Sequence, residues 1–311
     1  MPDDQRTDST GLKVLRRLFV VLLVLTIAVV FYRQAFDGAF PWDSHQFRSS
    51  PQTQVVTQNA AGDQAPGTNP VDDLAFASLD TTQRSLYVLL LAGEQEHLES
   101  ISFSASQSSD VQRAYDAVLR DNPELIWVGT SCTLEGDDSA HITTVRPVYL
   151  LDEEESTQAR ADLEQHAASI LSQIQQTDAA GRARAIHDAV ITSGRVEGVR
   201  GSASMQEVFS KGDDSDDWYA RCFQYLMRRD GRSCSCIGAA SAEGGEETSR
   251  LLDVARVDGA STFVDCARDA DGSAVTGHDW FGFGDERFYS EYALGEGQTL
   301  PACSPLPEPG A

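Results

Sequence analysis

Between Ser210 and Asp265 the chain specifies a helix, a strand and a hairpin whose order leaves few ways to fold. Asp213, Asp214, Ser215, Asp216 and Asp217 form a helix-start signal, because short acidic and hydroxyl side chains satisfy the free N–H groups of a first turn. Tyr219, Phe223 and Leu226 follow at core-facing helical spacing, and Asp230-Gly231 ends the helix before a short strand. Further on, Asp258-Gly259 stands between LLDVARV and ASTFVD, a two-residue hairpin signal, since such a turn needs residues that tolerate positive φ. The expectation is a mixed α+β fold in which one helix packs on an antiparallel sheet.

The same residues carry a family likeness. Tyr219, Ala220 and Phe223 fit a helix that elsewhere opens close to C-E-G-Y-A-x-A-F, while Val257-Asp258-Gly259 and Val264-Asp265 fit the strand pair that carries G-H-x-W-N and ends in V-D. Ile186-His187-Asp188 matches an I-H-D found upstream, and Asp121-Asn122-Pro123-Glu124 matches a D-N-P-E of the N-terminal region. Over roughly residues 115–292 the chain resembles the bacterial transglutaminase-like superfamily, a papain-related cysteine fold. In that register the nucleophilic cysteine position falls on Asp216 and the histidine position on Arg250, and only Asp265 keeps its expected type.

That register implies lost cysteine chemistry. Acyl transfer on this fold needs a thiolate at a helix N-terminus and an imidazole to move protons. Asp216 is a poor acyl nucleophile, and Arg250 does not deprotonate at accessible pH. The charge pattern survives, with a carboxylate and a guanidinium where a thiolate and an imidazolium would stand, so Arg250 is expected to bridge Asp216 and Asp265. Cys222 lies six residues beyond Asp216, about 240° around the helix, and is expected in the core. Asp213, Ser215 and Asp217 are spaced like the start of a calcium loop, but the required glycine and distal glutamate are missing. No cofactor and no metal is expected.

Outside the core, Leu18 to Tyr32 is an uncharged apolar run preceded by Lys13, Arg16 and Arg17. It is short for a span, though flanking arginines can extend its reach. No small-residue cleavage site follows, so a retained signal anchor is favoured over a cleaved signal peptide, with residues 1–17 cytoplasmic and the rest extracytoplasmic. The six cysteines (Cys132, Cys222, Cys234, Cys236, Cys266, Cys303) would then meet an oxidising compartment, where an even number suggests disulfides. Zinc on Cys222, Cys234, Cys236 and Cys266 is the competing reading, against which the spacing counts. A formal net charge of −24 excludes nucleic acid, whose phosphates need neutralising by Lys and Arg.

Residues 33–70 read as a polar, disordered stalk, 71–151 as a small N-terminal α+β subdomain, 152–293 as the transglutaminase-like core, and 294–311 as a disordered proline-rich tail. Helices are expected over 81–98, 109–120, 152–176 and 179–192, with strands starting at 125 and spanning 141–151. His187 reads as a packing or helix-end histidine. Gly277-His278-Asp279-Trp280 mimics the missing G-H-x-W but follows Asp265, which places His278 before a closing strand and away from the chemistry. The expected function is a membrane-anchored, catalytically inactive binding or scaffold module of the bacterial cell envelope, its partner an envelope protein or wall peptide. The alternative is an active cysteine peptidase or transamidase that uses Cys222, Cys234, Cys236 or Cys266 with His187 or His278.

Overall fold

A computed structural model describes residues 71–193, 209, 217–242, 250–271, 278–295 and 297–307. The apolar run at 18–32, the stalk and Asp216 lie outside the described residues. Among those described, no helix is long and apolar enough to cross a membrane.

The fold is mixed α+β. Helices α1 (Leu74–Ala77) and α2 (Thr81–Gln95) lead to β1 (Ile101–Ser106), α3 (Ser108–Asp121), β2 (Val128–Gly136) and β3 (Ile142–Tyr149). The three strands form an antiparallel sheet in the order β1-β3-β2. Asp80 caps α2 through a reciprocal box with Gln83, and Asp152 caps α4 (Glu153–Gln173) in the same way with Glu155. Strand β1 was not anticipated: ISFSAS alternates too weakly for its period to show. Leu125, Ile126 and Trp127, expected to begin a strand, form a fully buried turn ahead of β2.

Helix α5 (Ala179–Ser193) precedes the central helix α6 (Asp217–Arg229). Helix α6 is buried nearly all round, including Trp218, Phe223, Leu226 and Met227, as befits a helix at the middle of a core. It ends in a Schellman turn, with Arg232 N–H donating to the Met227 carbonyl, Gly231 N–H to that of Arg228, and Gly231 at φ 75°. Then come β4 (Cys234–Ser241), β5 (Arg250–Val257), β6 (Ala260–Val264), α7 (Cys266–Asp271), β7 (Phe281–Phe283), α8 (Asp285–Glu291) and β8 (Tyr292–Leu294). The five strands form an antiparallel sheet ordered β7-β6-β5-β4-β8. The β5–β6 hairpin turns on Asp258 (φ 50°) and Gly259 (φ 82°), the doubly positive turn its sequence signals.

Side chains alternate across this sheet. Cys234, Ala255, Val257 and Val264 face the core that holds α6, whereas Ile237, Leu252, Val254 and Phe263 face a second cluster with Phe283, Phe288 and Tyr292. The α6-side core runs without a break from Ala75 to Phe281, so residues 71–151 and the later core share one interior inside a single compact unit. Residues 297–307 depart from the expected disordered tail. Ser304 N–H donates to Ser261, Leu306 N–H to Gly282, and Cys303 is buried against β6. Prolines cannot donate to a ladder, yet they leave room for these isolated donors between them.

Candidate functional site

Strand register assembles the positions that the sequence singles out. Asp253 of β5 lies opposite Val264 of β6, which sets the start of β5 beside the residue that ends β6. Arg250 Nη1 accordingly reaches Asp265 Oδ2 at 3.2 Å. Asp265 is 1% exposed and also accepts from Tyr292 Oη at 2.6 Å and from Arg268 N–H at 3.1 Å. The N-terminus of α6 meets the same strand end, because Asp217 Oδ1 accepts from Leu251 N–H at 2.8 Å. The expected contact to Asp216 lies outside the described residues. Beside this corner Arg268 and Arg287 both lie over the Trp280 indole, their guanidinium carbons 3.6 and 3.8 Å from its ring centre.

A small cleft of about 50 Å³, open to solvent on one side, borders the α6 N-terminus. Leu119, Phe209, Trp218 and Leu251 supply its apolar wall, and Arg120, Arg221 and Asp217 its charge.

All six cysteines are free thiols rather than the expected disulfides. Cys222, Cys234, Cys236 and Cys266 are at most 2% exposed. Cys234 and Cys236 donate to the buried Asp253 carboxylate at 3.5 and 3.3 Å, and Cys236 also contacts Gln224 Oε1 at 3.2 Å. Burial pushes all four thiols up, and the neighbouring Asp253 charge adds to it. Burial likewise raises the Asp253 carboxyl well above the ordinary carboxylate range. A nucleophilic cysteine needs the opposite environment, partly exposed and electropositive.

Two histidines set aside in the sequence come together instead. His187 on α5 is fully buried, and its ring centre lies 5.6 Å from that of His278, which precedes β7. Asp188 Oδ1 joins them, 2.6 Å from His278 Nε2 and 3.5 Å from His187 Nδ1. On the other edge of the His187 ring, Nε2 lies 3.0 Å from Asp269 Oδ2. Both His187 contacts are at ion-pair distance without the alignment of a hydrogen bond. Trp280 N–H fixes Asp269 at 3.2 Å. Burial opposes charge on the His187 imidazole, but Asp188 and Asp269 together outweigh it and its pKa ends above the ordinary value. Burial also works against ionised Asp188, and the close His187 and His278 rings, the latter hydrogen-bonded to it, overcome that, leaving the carboxyl below its usual range. Both histidines sit in His-Asp dipeptides, a signal present in the sequence but with no spacing that joins the two.

No family model matches the chain, and no curated protein matches it either.

Proposed function

We propose that residues 115–292 form a transglutaminase-like core that no longer carries out cysteine chemistry and works by binding. The observation behind this reading is the Arg250–Asp265 pair. A guanidinium stands where the resemblance puts the catalytic imidazole, held by the one carboxylate that keeps its type. Arginine cannot accept a proton at neutral pH, so Arg250 cannot serve as the general base that the imidazole would be. The burial of Cys222, Cys234, Cys236 and Cys266 supports the same reading, since none is placed to act as a nucleophile. The cleft beside α6 is the binding surface, and a wall peptide or an envelope protein segment is its occupant. The Leu18–Tyr32 run tethers the domain outside the membrane.

Thiol labelling of the native chain with a small electrophile tests this. Only Cys132, half-buried with its thiol pushed up to about 11, should react, and slowly, whereas all six should react after denaturation. A core cysteine that labels fast at neutral pH would restore the peptidase or transamidase reading. Binding is tested by following tryptophan fluorescence, to which Trp218 in the cleft contributes, during titration with peptidoglycan stem peptides. A Trp218→Phe variant should lose the response.

A further inference from the structure

We propose that His187, Asp188 and His278 form a binding site for a zinc-type divalent ion. Among the described residues they are the group of three His, Cys, Asp or Glu side chains whose ligand atoms all lie within 4.8 Å of one another. Two ligand atoms on a tetrahedral zinc, each about 2.0–2.1 Å from the metal, stand about 3.3 Å apart. The spacings from Asp188 Oδ1, 2.6 Å to His278 Nε2 and 3.5 Å to His187 Nδ1, bracket that value. The third separation, between the two histidines, is within 4.8 Å, so the side chains must draw together to close the set around an ion.

The surroundings of His187 point the same way. The ring is fully buried, yet neither nitrogen has an aligned hydrogen-bond partner, an expensive arrangement for a polar group. Nδ1 faces Asp188, which His278 also contacts, while Nε2 faces Asp269. A metal-bound imidazole ordinarily has this pairing, with one nitrogen on the ion and the other N–H directed to a carboxylate that fixes its tautomer. Asp269 is itself held by the Trp280 amide, so the outer carboxylate is rigid. Phe223 and Phe281 flank the His187 ring at 6.5 and 5.2 Å between centres and keep that side dry.

The donor set selects the ion. Two imidazole nitrogens and one carboxylate oxygen suit zinc, cobalt or nickel, whereas calcium and magnesium favour oxygen alone. Three protein ligands leave a coordination position, and Asp188, its side chain 46% exposed, gives the site an edge open to solvent. The buried cysteines are committed elsewhere, Cys234 and Cys236 to Asp253. The site does not depend on the transglutaminase-like reading. Asp269 stands one turn along α7 from Asp265, on a side chain that the Arg250 corner does not use.

The experiment uses the detergent-solubilised full chain, stripped with chelator and titrated calorimetrically with zinc chloride at neutral pH. One equivalent should bind. His278→Ala and Asp188→Asn alter partly exposed ligands and should weaken binding at least about tenfold, and the outer-carboxylate variant Asp269→Asn by about 10–100-fold. Cobalt loading should give visible d–d bands without a thiolate charge-transfer band, and the d–d bands should vanish in His278→Ala. Circular dichroism confirms that each variant is folded. No saturable binding, an affinity unchanged in folded His278→Ala, or a thiolate band from the wild-type chain would each overturn the assignment.

Discussion

Replacing Glu94 by Gln should make the protein more stable, and chiefly at neutral and alkaline pH. Glu94 closes α2 with its side chain fully buried, and neither carboxyl oxygen has a hydrogen-bond partner. Burial alone raises its pKa from the ordinary 4.5 to about 8. For an acid raised in this direction, the unfolded chain releases its proton first. The stability contribution is therefore complete below about 4.5 and is lost as pH climbs to about 8. At about 1.4 kcal/mol per pH unit the whole interval amounts to about 4–5 kcal/mol, of which about 3 kcal/mol develops between pH 5 and pH 8. Glutamine has nearly the same shape and does not titrate, so its advantage over the wild type should grow by that amount across the window. Urea unfolding of both proteins at several pH values from 5 to 8 measures the difference directly and cancels every other titrating group. A gain of about 3 kcal/mol corresponds to roughly 6–12 °C in Tm for a unit of this size. Stability curves that run parallel across the window would refute the reasoning, because they would mean that water or a partner already solvates the carboxylate.

Two further outcomes test the second half of the chain. Arg250→Ala should lower stability by about 1–2 kcal/mol in chemical denaturation, less than a fully buried pair would cost, because Arg250 is 31% exposed and Asp265 keeps its bonds from Tyr292 and Arg268. An unchanged midpoint would show that the pair contributes nothing. Gly259→Ala should cost about 1 kcal/mol through backbone strain alone, since φ is 82° and no atom lies within 4 Å of the added methyl group, and Gly259→Asn should recover part of that loss.

Much of the architecture was legible where local chemistry leaves one choice. The acidic helix start at 213–217, the stop at Asp230-Gly231 and the turn at Asp258-Gly259 are read from a few adjacent residues, and the structure bears out the stop and the turn. Weak signals were lost. The polar alternation of Ile101–Ser106 hid β1, the three-residue strand β8 is too short for a period, and the proline-rich 297–307 gave no hint of its bonds to β6 and β7.

The candidate sites divide in a similar way. Arg250 meets Asp265 because the tight turn between them sets the register, and that turn is written in two adjacent residues. His187 and His278 are 91 positions apart by number (278 − 187), and His187 alone reads as an ordinary helix histidine. Only the packing of α5 beside α7 and the entry to β7 brings Asp188 between them and Asp269 behind. The same holds for Glu94 and the core thiols, whose protonation depends on how much water the finished core excludes. Caps and turns are satisfied by their immediate neighbours, so the sequence determined them; burial and long-range proximity are properties of the whole packed chain, and the tertiary structure alone decided them.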